Sequence, residues 1–219
     1  MYRYVIFDMD GTILNTLDDL ADACNWVCEQ HGWAAYPVEA YKQFVGNGAR
    51  KLLERLVPKG VEITDQLRDQ LSDEFTACYV DGDGATKKTA PYPGLPDMME
   101  RLKAAGVTMA VLTNKPDAAA TPVAERYYPG VFELVQGALP DMPTKPDPTL
   151  LHLLMERLGA RPEETLFVGD SNVDIQTAKN AGLKSCGVLW GFRTREELEA
   201  EGADFIVSTA QQLQACILR

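Results

Sequence analysis

From about residue 91 to the C-terminus, short apolar runs alternate with single amphipathic stretches, and this alternation restricts the fold more than any other feature of the chain. Helical periodicity covers 95–105, 117–128, 150–158, 174–181, 195–201 and 210–217, and strand-like runs cover 108–112, 132–135, 165–168, 185–189 and 205–207. Strands separated by single helices pair in parallel through crossover connections, which predicts an α/β fold built on a parallel sheet. Val5-Ile6-Phe7 reads as one more strand buried on both faces, and it belongs with the later sheet.

Between that first strand and the alternating region only helices are predicted. Thr16 can cap a helix whose first turn carries Asp18 and Asp19; Leu17, Leu20, Ala21, Cys24, Val27 and Cys28 share its apolar face, and Gly32 ends it. Further helical patterns cover 38–44, 49–57 and 64–80. Turn formers then crowd into Asp81-Gly82-Asp83-Gly84-Ala85-Thr86 and Pro91-Tyr92-Pro93-Gly94. The expected organisation is an α/β core formed by residues 1–15 and 85–219, with an all-helical domain, residues 16–84, inserted into it. Residues 12–16 and 81–90 are the expected hinges, with Gly82 and Gly84 in the second.

Composition narrows the function. The 219 residues are 46% apolar and 24% charged, the balance of an ordinary globular protein with a sizeable core. No apolar run approaches the roughly 18 residues of a membrane helix, and the N-terminus lacks a signal-peptide layout, so a cytoplasmic location is expected. The formal charge of −11 repels nucleic acid and anionic lipid, which excludes both as expected partners. It also requires a local positive centre, a metal or a placed lysine, for any anionic substrate. The five cysteines are odd in number and irregular in spacing, which suits small core residues in a reducing compartment; His31 and His152 form no ligand cluster. Monomer and homodimer are both compatible with the sequence.

In an open parallel sheet, ligands bind at the carboxyl ends of the strands. There the sequence collects Asp8 and Asp10 after the first strand and Thr113, Asn114 and Lys115 after Val111-Leu112. Lys145-Pro146 precedes the 150–158 helix, and Gly169, Asp170, Ser171 and Asp174 follow Phe167-Val168. Asp8 and Asp170 are hard oxygen ligands suited to Mg²⁺, and Asp174 can hold the metal directly or through water. The metal would let the Asp8 carboxylate approach a phosphate dianion and form an acyl-phosphate, while Asp10 acts as acid and then as base. Thr113 and Lys145 would hold the transferring phosphoryl oxygens. In Gly46-Asn47-Gly48, two glycines would let backbone N–H groups approach an anion and Asn47 would add a neutral donor. The same residues also make a tight turn between helices, and the sequence leaves both readings open. Arg50 has the same two options, substrate or solvent.

Asp8-Met9-Asp10-Gly11-Thr12, Thr113-Asn114, Lys145-Pro146 and Gly169-Asp170-Ser171-Asn172-Val173-Asp174 resemble the four motifs of the haloacid dehalogenase-like superfamily. The resemblance implies a Rossmann-like core with a helical cap of the C1 type inserted after the first motif. It further implies Asp8 as nucleophile, Asp10 as acid/base and Thr113 with Lys145 as the phosphoryl-binding pair. Mg²⁺ would be held by Asp8, Asp170 and the backbone carbonyl of Asp10. Within the superfamily, Val45-Gly46-Asn47-Gly48-Ala49, Thr113-Asn114-Lys115-Pro116 and Val188-Leu189-Trp190-Gly191-Phe192-Arg193 resemble the loops of phosphoglycolate phosphatases. This implies a small phosphorylated metabolite as substrate, 2-phosphoglycolate first, with Asn114, Gly46, Asn47 and Gly48 contacting it. Asn15 departs from the aspartate many relatives carry there, at a position that concerns the hinge more than the chemistry.

Two other classes compete. A phospho-switch receiver needs only about 120 residues and keeps its phospho-acceptor on a later strand. Here the acid pair ends the first strand and a helical segment is inserted. A phosphomutase resembling β-phosphoglucomutase would keep the same motifs but needs a base from the cap, and none stands out in the cap loop apart from nearby Lys51.

Overall fold

Val5, Ile6 and Phe7 are fully buried because their strand lies in the middle of a parallel sheet, with side chains alternating between its two faces. The computed structural model describes residues 1–80 and 87–219. In chain order the elements begin with β1 (Tyr4–Phe7), β2 (Leu14–Asn15), α1 (Leu17–Gln30), α2 (Val38–Phe44), α3 (Ala49–Glu54) and α4 (Asp65–Tyr79). They continue with β3 (Ala90–Pro91), α5 (Leu95–Ala104), β4 (Thr108–Pro116), α6 (Asp117–Tyr127), β5 (Leu134–Ala138) and α7 (Thr149–Leu158). After a 3-10 turn at Pro162–Glu164 come β6 (Thr165–Gly169), α8 (Asn172–Asn180), β7 (Lys184–Val188), α9 (Arg195–Ala200), β8 (Phe205–Val207) and α10 (Ala210–Ile217).

Six strands form one sheet in the order β5-β4-β1-β6-β7-β8, every pair parallel. The alternation in the sequence is therefore the alternation of a Rossmann-like α/β fold. The chain winds outward from β1 in one direction through β4 and β5, then crosses back to β6 and winds the other way. The carboxyl ends of β1, β4 and β6 thus meet at the switch point, the place where such sheets bind ligands.

Each sheet face has its own core. Ile6, Ala110, Leu112 and Phe167 pack with Leu150, Leu151 and Leu154 of α7 and Ala178 of α8. Val5, Phe7, Val111 and Val168 face the opposite way, into a larger cluster that includes α5, α6 and α10. The apolar faces of α1, α2, α3 and α4 join that same cluster through Leu20, Cys24, Tyr41, Leu52, Phe75 and Tyr79.

The chain leaves and re-enters this framework through a short antiparallel ribbon, β2 with β3. Asp19 braces the ribbon. Its buried carboxylate accepts hydrogen bonds from the Lys88 and Thr89 backbone N–H groups and from the Thr89 hydroxyl, at 2.7–3.0 Å. Gly82 and Gly84, the expected second hinge, lie outside the described residues.

Two local expectations are corrected. Thr16 does not cap α1: its hydroxyl is buried and has no partner among the described residues, and Asn15 Oδ1 accepts the Leu17 N–H instead, at 3.4 Å. The strand expected at 132–135 runs from Leu134 to Ala138. Phe132 is drawn out of it to pack edge-on against Phe7 and Tyr128. The strand can pass this close to the Asp117 backbone because Gly137 has no Cβ, which would collide with it.

Candidate active site

Asp8 continues the line of β1, its N–H bonded to the Val168 carbonyl at 2.9 Å. The chain then turns sharply. The Met9 carbonyl accepts from the N–H groups of Thr12, Ile13 and Leu14, and Gly11 sits at φ +85°. Only glycine fits at position 11, since a Cβ there would strike the Asp170 carboxylate. The turn presents Thr12 Oγ1 to Asp170 Oδ1 at 3.1 Å, and the Phe192 N–H binds Asp170 Oδ2 at 2.7 Å. Asp170 is thereby fixed at the end of β6 and is 1% exposed.

Asp174 lies in the first turn of α8, where it receives both the N–H and the hydroxyl of Ser171 at 3.0 and 2.6 Å. Its other oxygen takes the Lys145 ammonium at 2.7 Å, and the same ammonium reaches Asp8 Oδ1 at 2.8 Å. Lys145 itself is set by Asn114, whose Oδ1 accepts the Lys145 N–H at 2.8 Å and whose Nδ2 donates to the Lys145 carbonyl at 2.9 Å.

Asp8, Asp170 and Asp174 can each bring one carboxylate oxygen within 4.8 Å of the others. Burial, together with the Asp174 charge, pushes Asp8 up to about 7, although Lys145 works against the rise. Burial, followed by the charges of Asp174 and Asp8, drives Asp170 well above the ordinary carboxylate range. Burial opposes the charge of Lys145, but Asp174 and Asp8 hold its ammonium above the usual lysine value. One ammonium for three buried carboxylates leaves the group short of positive charge. Hard oxygen donors in that condition suit a divalent cation.

The irregular end of β4 supplies the next layer. Thr113 lines a cavity above Asp8 and accepts the Lys115 N–H at 3.2 Å. Lys115 points the same way as Thr113, as residues two apart on a strand do. Its ammonium bonds Asp10 Oδ1 at 3.1 Å and the Tyr79 hydroxyl of α4 at 2.8 Å.

The helical segment closes the cavity from above. Gly46 and Gly48 line it, at φ +117° and +84°. Asn114 Nδ2 donates to the Gly46 carbonyl at 3.0 Å, so one side chain ties the helical loop to the Lys145 loop. Asn47 does not line the cavity; its Oδ1 accepts from Arg55 at 2.7 Å. Arg50 faces solvent beside Glu54. Arg193, in the loop after β7, is buried and donates to the carbonyls of Lys42 and Val45 at the end of α2. The cavity offers about 50 Å³ to the centres of water molecules, room for a few waters or a small ligand.

Asp8, Asp10, Thr113, Asn114, Lys145 and Asp170 all line this one cavity, with Asp174 directly behind Lys145. Lys115 and Arg193 belong to stretches that resemble phosphatase loops, but the sequence assigns neither of them, nor Ser171 or Tyr79, a role of its own. The strand period linking Thr113 to Lys115 was a usable signal for the first. The others depend on contacts between distant segments and leave no local trace.

The sequence profile of the haloacid dehalogenase-like hydrolases matches residues 5–188. A phosphoglycolate phosphatase of Pseudomonas putida is 33% identical over 213 residues, covering 96% of this chain and 78% of its own. A phosphoglycolate phosphatase of Vibrio parahaemolyticus is 32% identical over 214 residues, covering 96% of this chain and 94% of its own. A crystal structure from Lactobacillus delbrueckii subsp. bulgaricus, provisionally assigned as a phosphoglycolate phosphatase, superposes with a TM-score of 0.89 at 34% identity over 99% of this chain and 98% of its own. The chain belongs to the haloacid dehalogenase-like hydrolases and is an enzyme of that family, with the phosphatases among its relatives. Enzymes of this type use a divalent metal, for which the aspartate cluster is suited.

Proposed function

We propose that this enzyme is a Mg²⁺-dependent phosphomonoester hydrolase that works through an aspartyl-phosphate on Asp8, with 2-phosphoglycolate as its preferred substrate. The observation that carries the reading is the Lys145 ammonium held between Asp8 and Asp174, with Asp170 beside them, at the switch point of the sheet. In this reading residues 1–15 and 85–219 are the catalytic core, and residues 16–84 are a cap that opens to admit substrate. Asp8, Asp170 and the Asp10 carbonyl would hold Mg²⁺, with Asp174 as a direct or water-mediated ligand. When bound, the metal would offset the negative charge that Asp8 and the phosphoryl group bring together.

An Asp8 carboxylate oxygen attacks phosphorus, and the bond from phosphorus to the ester oxygen breaks. Asp10 gives its proton to that oxygen as the alcohol departs. Thr113 and Lys145 stabilise the charge on the transferring group. Asp10 then takes a proton from water, the water oxygen attacks phosphorus, and orthophosphate leaves as the carboxylate of Asp8 is restored.

Among its described residues the helical segment lines the cavity only with apolar side chains, glycines and Tyr79, and these include no lysine or histidine to act as a base toward a sugar hydroxyl. This favours hydrolysis over the mutase alternative among the described residues. The small volume favours a compact ester, and two independent relatives named phosphoglycolate phosphatase point to the same substrate. The test is kcat/KM across 2-phosphoglycolate, glycerol phosphate, glucose phosphates, nucleoside monophosphates and pyrophosphate. A preference of about tenfold or more for phosphoglycolate is expected. A preference for any other member would replace the substrate and leave the chemistry in place. The cytoplasm, where such metabolites arise, is the proposed location.

A further inference from the structure

Lys115 is a buried ammonium whose partners come from two different parts of the molecule. Its side chain is 2% exposed. On one side it holds both oxygens of Asp10, at 3.1 and 3.4 Å. On the other it donates to the hydroxyl of Tyr79 at 2.8 Å and lies 4.7 Å from the centre of that ring. Tyr79 is the last residue of α4, is 1% exposed, and stacks on Phe75. Burial works to discharge Lys115, but Asp10 and Tyr79 together hold its proton more firmly than water would.

A buried ammonium has three donors to satisfy, and leaving one unmade is costly. With α4 seated, Tyr79 takes one donor, which leaves the others directed at Asp10 and fixes that carboxylate. With α4 withdrawn, that donor loses its partner, and Asp10 alone is left to hold the ammonium, free to swing with it. We propose that Lys115 is a positioning residue that sets Asp10 for proton transfer only when Tyr79 of the helical segment is docked on it. The proposal rests on the reading of Asp10 as acid and base. It gives the helical segment a role beyond excluding water: it completes the alignment of a proton-transferring group from outside the sheet.

The test exploits a difference between leaving groups. An alkyl ester such as 2-phosphoglycolate needs a proton on its leaving oxygen, whereas acetyl phosphate releases acetate, which needs none. First-turnover release of glycolate and of acetate is followed by rapid quench for wild type, Tyr79→Phe, Lys115→Met, the double variant and Asp10→Asn. Tyr79→Phe removes one oxygen and keeps the ring packing. The expected result is slower glycolate release, by about tenfold for Tyr79→Phe and roughly a hundredfold for Lys115→Met, with acetate release within about twofold of wild type. The double variant should be no slower than Lys115→Met alone, and KM should change little in any of them. Equal slowing of both substrates would reduce the contact to packing and overturn the proposal. Additive effects in the double variant would overturn it as well. Normal glycolate release in Asp10→Asn would overturn the acid/base reading itself, a failure visible in that variant alone.

Discussion

At the scale of the residue, the site is an electrostatic compromise. Asp8 holds its proton up to about pH 7 because it is buried beside Asp174, and Lys145 relieves only part of that pressure. The folded, metal-free protein therefore binds more protons than the unfolded chain between the ordinary carboxylate range and about pH 7. Its stability must fall as the pH rises through that window. Thermal unfolding in EDTA should give a Tm that declines from about pH 5 to about pH 7.5, and Mg²⁺ should restore more of it at the upper end, where the carboxylates it binds are ionised. A Tm in EDTA that rises over the same range would contradict the charge imbalance. Asp8→Asn should raise the metal-free Tm near pH 8 and have little effect near pH 5. The acids, Thr113 and Lys145 were legible in the sequence because each follows a strand at the carboxyl edge of the sheet. Arg193 and Tyr79 were not, because what defines them is a partner more than a hundred residues away for the first and a core lysine for the second.

At the scale of the element, close approach does the positioning. Gly169 and Gly191 stand where a Cβ would collide with Asp174 and Asp170 respectively. Gly169→Ala or Gly191→Ala should leave a folded protein, judged by far-UV circular dichroism, with Mg²⁺ affinity weakened by roughly an order of magnitude through displaced carboxylates. Arg193 and Asn114 reach across to the end of α2 and the loop after it, the first to the carbonyls of Lys42 and Val45 and the second to that of Gly46. Arg193→Gln should raise KM about tenfold and speed amide exchange around residues 42–46, with kcat less affected. An unchanged exchange pattern would show that the arginine is not what holds the loop. The order of strands and helices could be read from periodicity because each buried strand is short and each helix amphipathic. The ends could not always be read. Thr16 has the right chemistry for a cap, but its hydroxyl is buried while Asn15 does the work, and β5 is displaced because Phe132 is recruited by an aromatic cluster. Both outcomes were decided by packing between segments that no local pattern reports.

At the scale of the whole molecule, the helical segment and the sheet share one continuous apolar cluster, and the ribbon of β2 and β3 is braced by Asp19. Two units with a common core should unfold together. Urea denaturation followed by far-UV and tryptophan signals should give one coincident transition, and two separated transitions would show that the segment folds on its own. The net charge of −11 leaves the molecule with little attraction for an anionic ester except at the site, where Lys145 and Arg193 line the cavity. A metal is then needed to complete the balance around Asp8, Asp170 and Asp174. The most direct measurement of the central claim is phosphate release from 2-phosphoglycolate by wild type and Asp8→Asn, each with Mg²⁺ and with EDTA. Release by wild type with Mg²⁺ and background rates in the other three conditions are the expected results. Release that survives in Asp8→Asn with Mg²⁺ would contradict that claim, because phosphoryl transfer would then proceed without the carboxylate on which the mechanism turns.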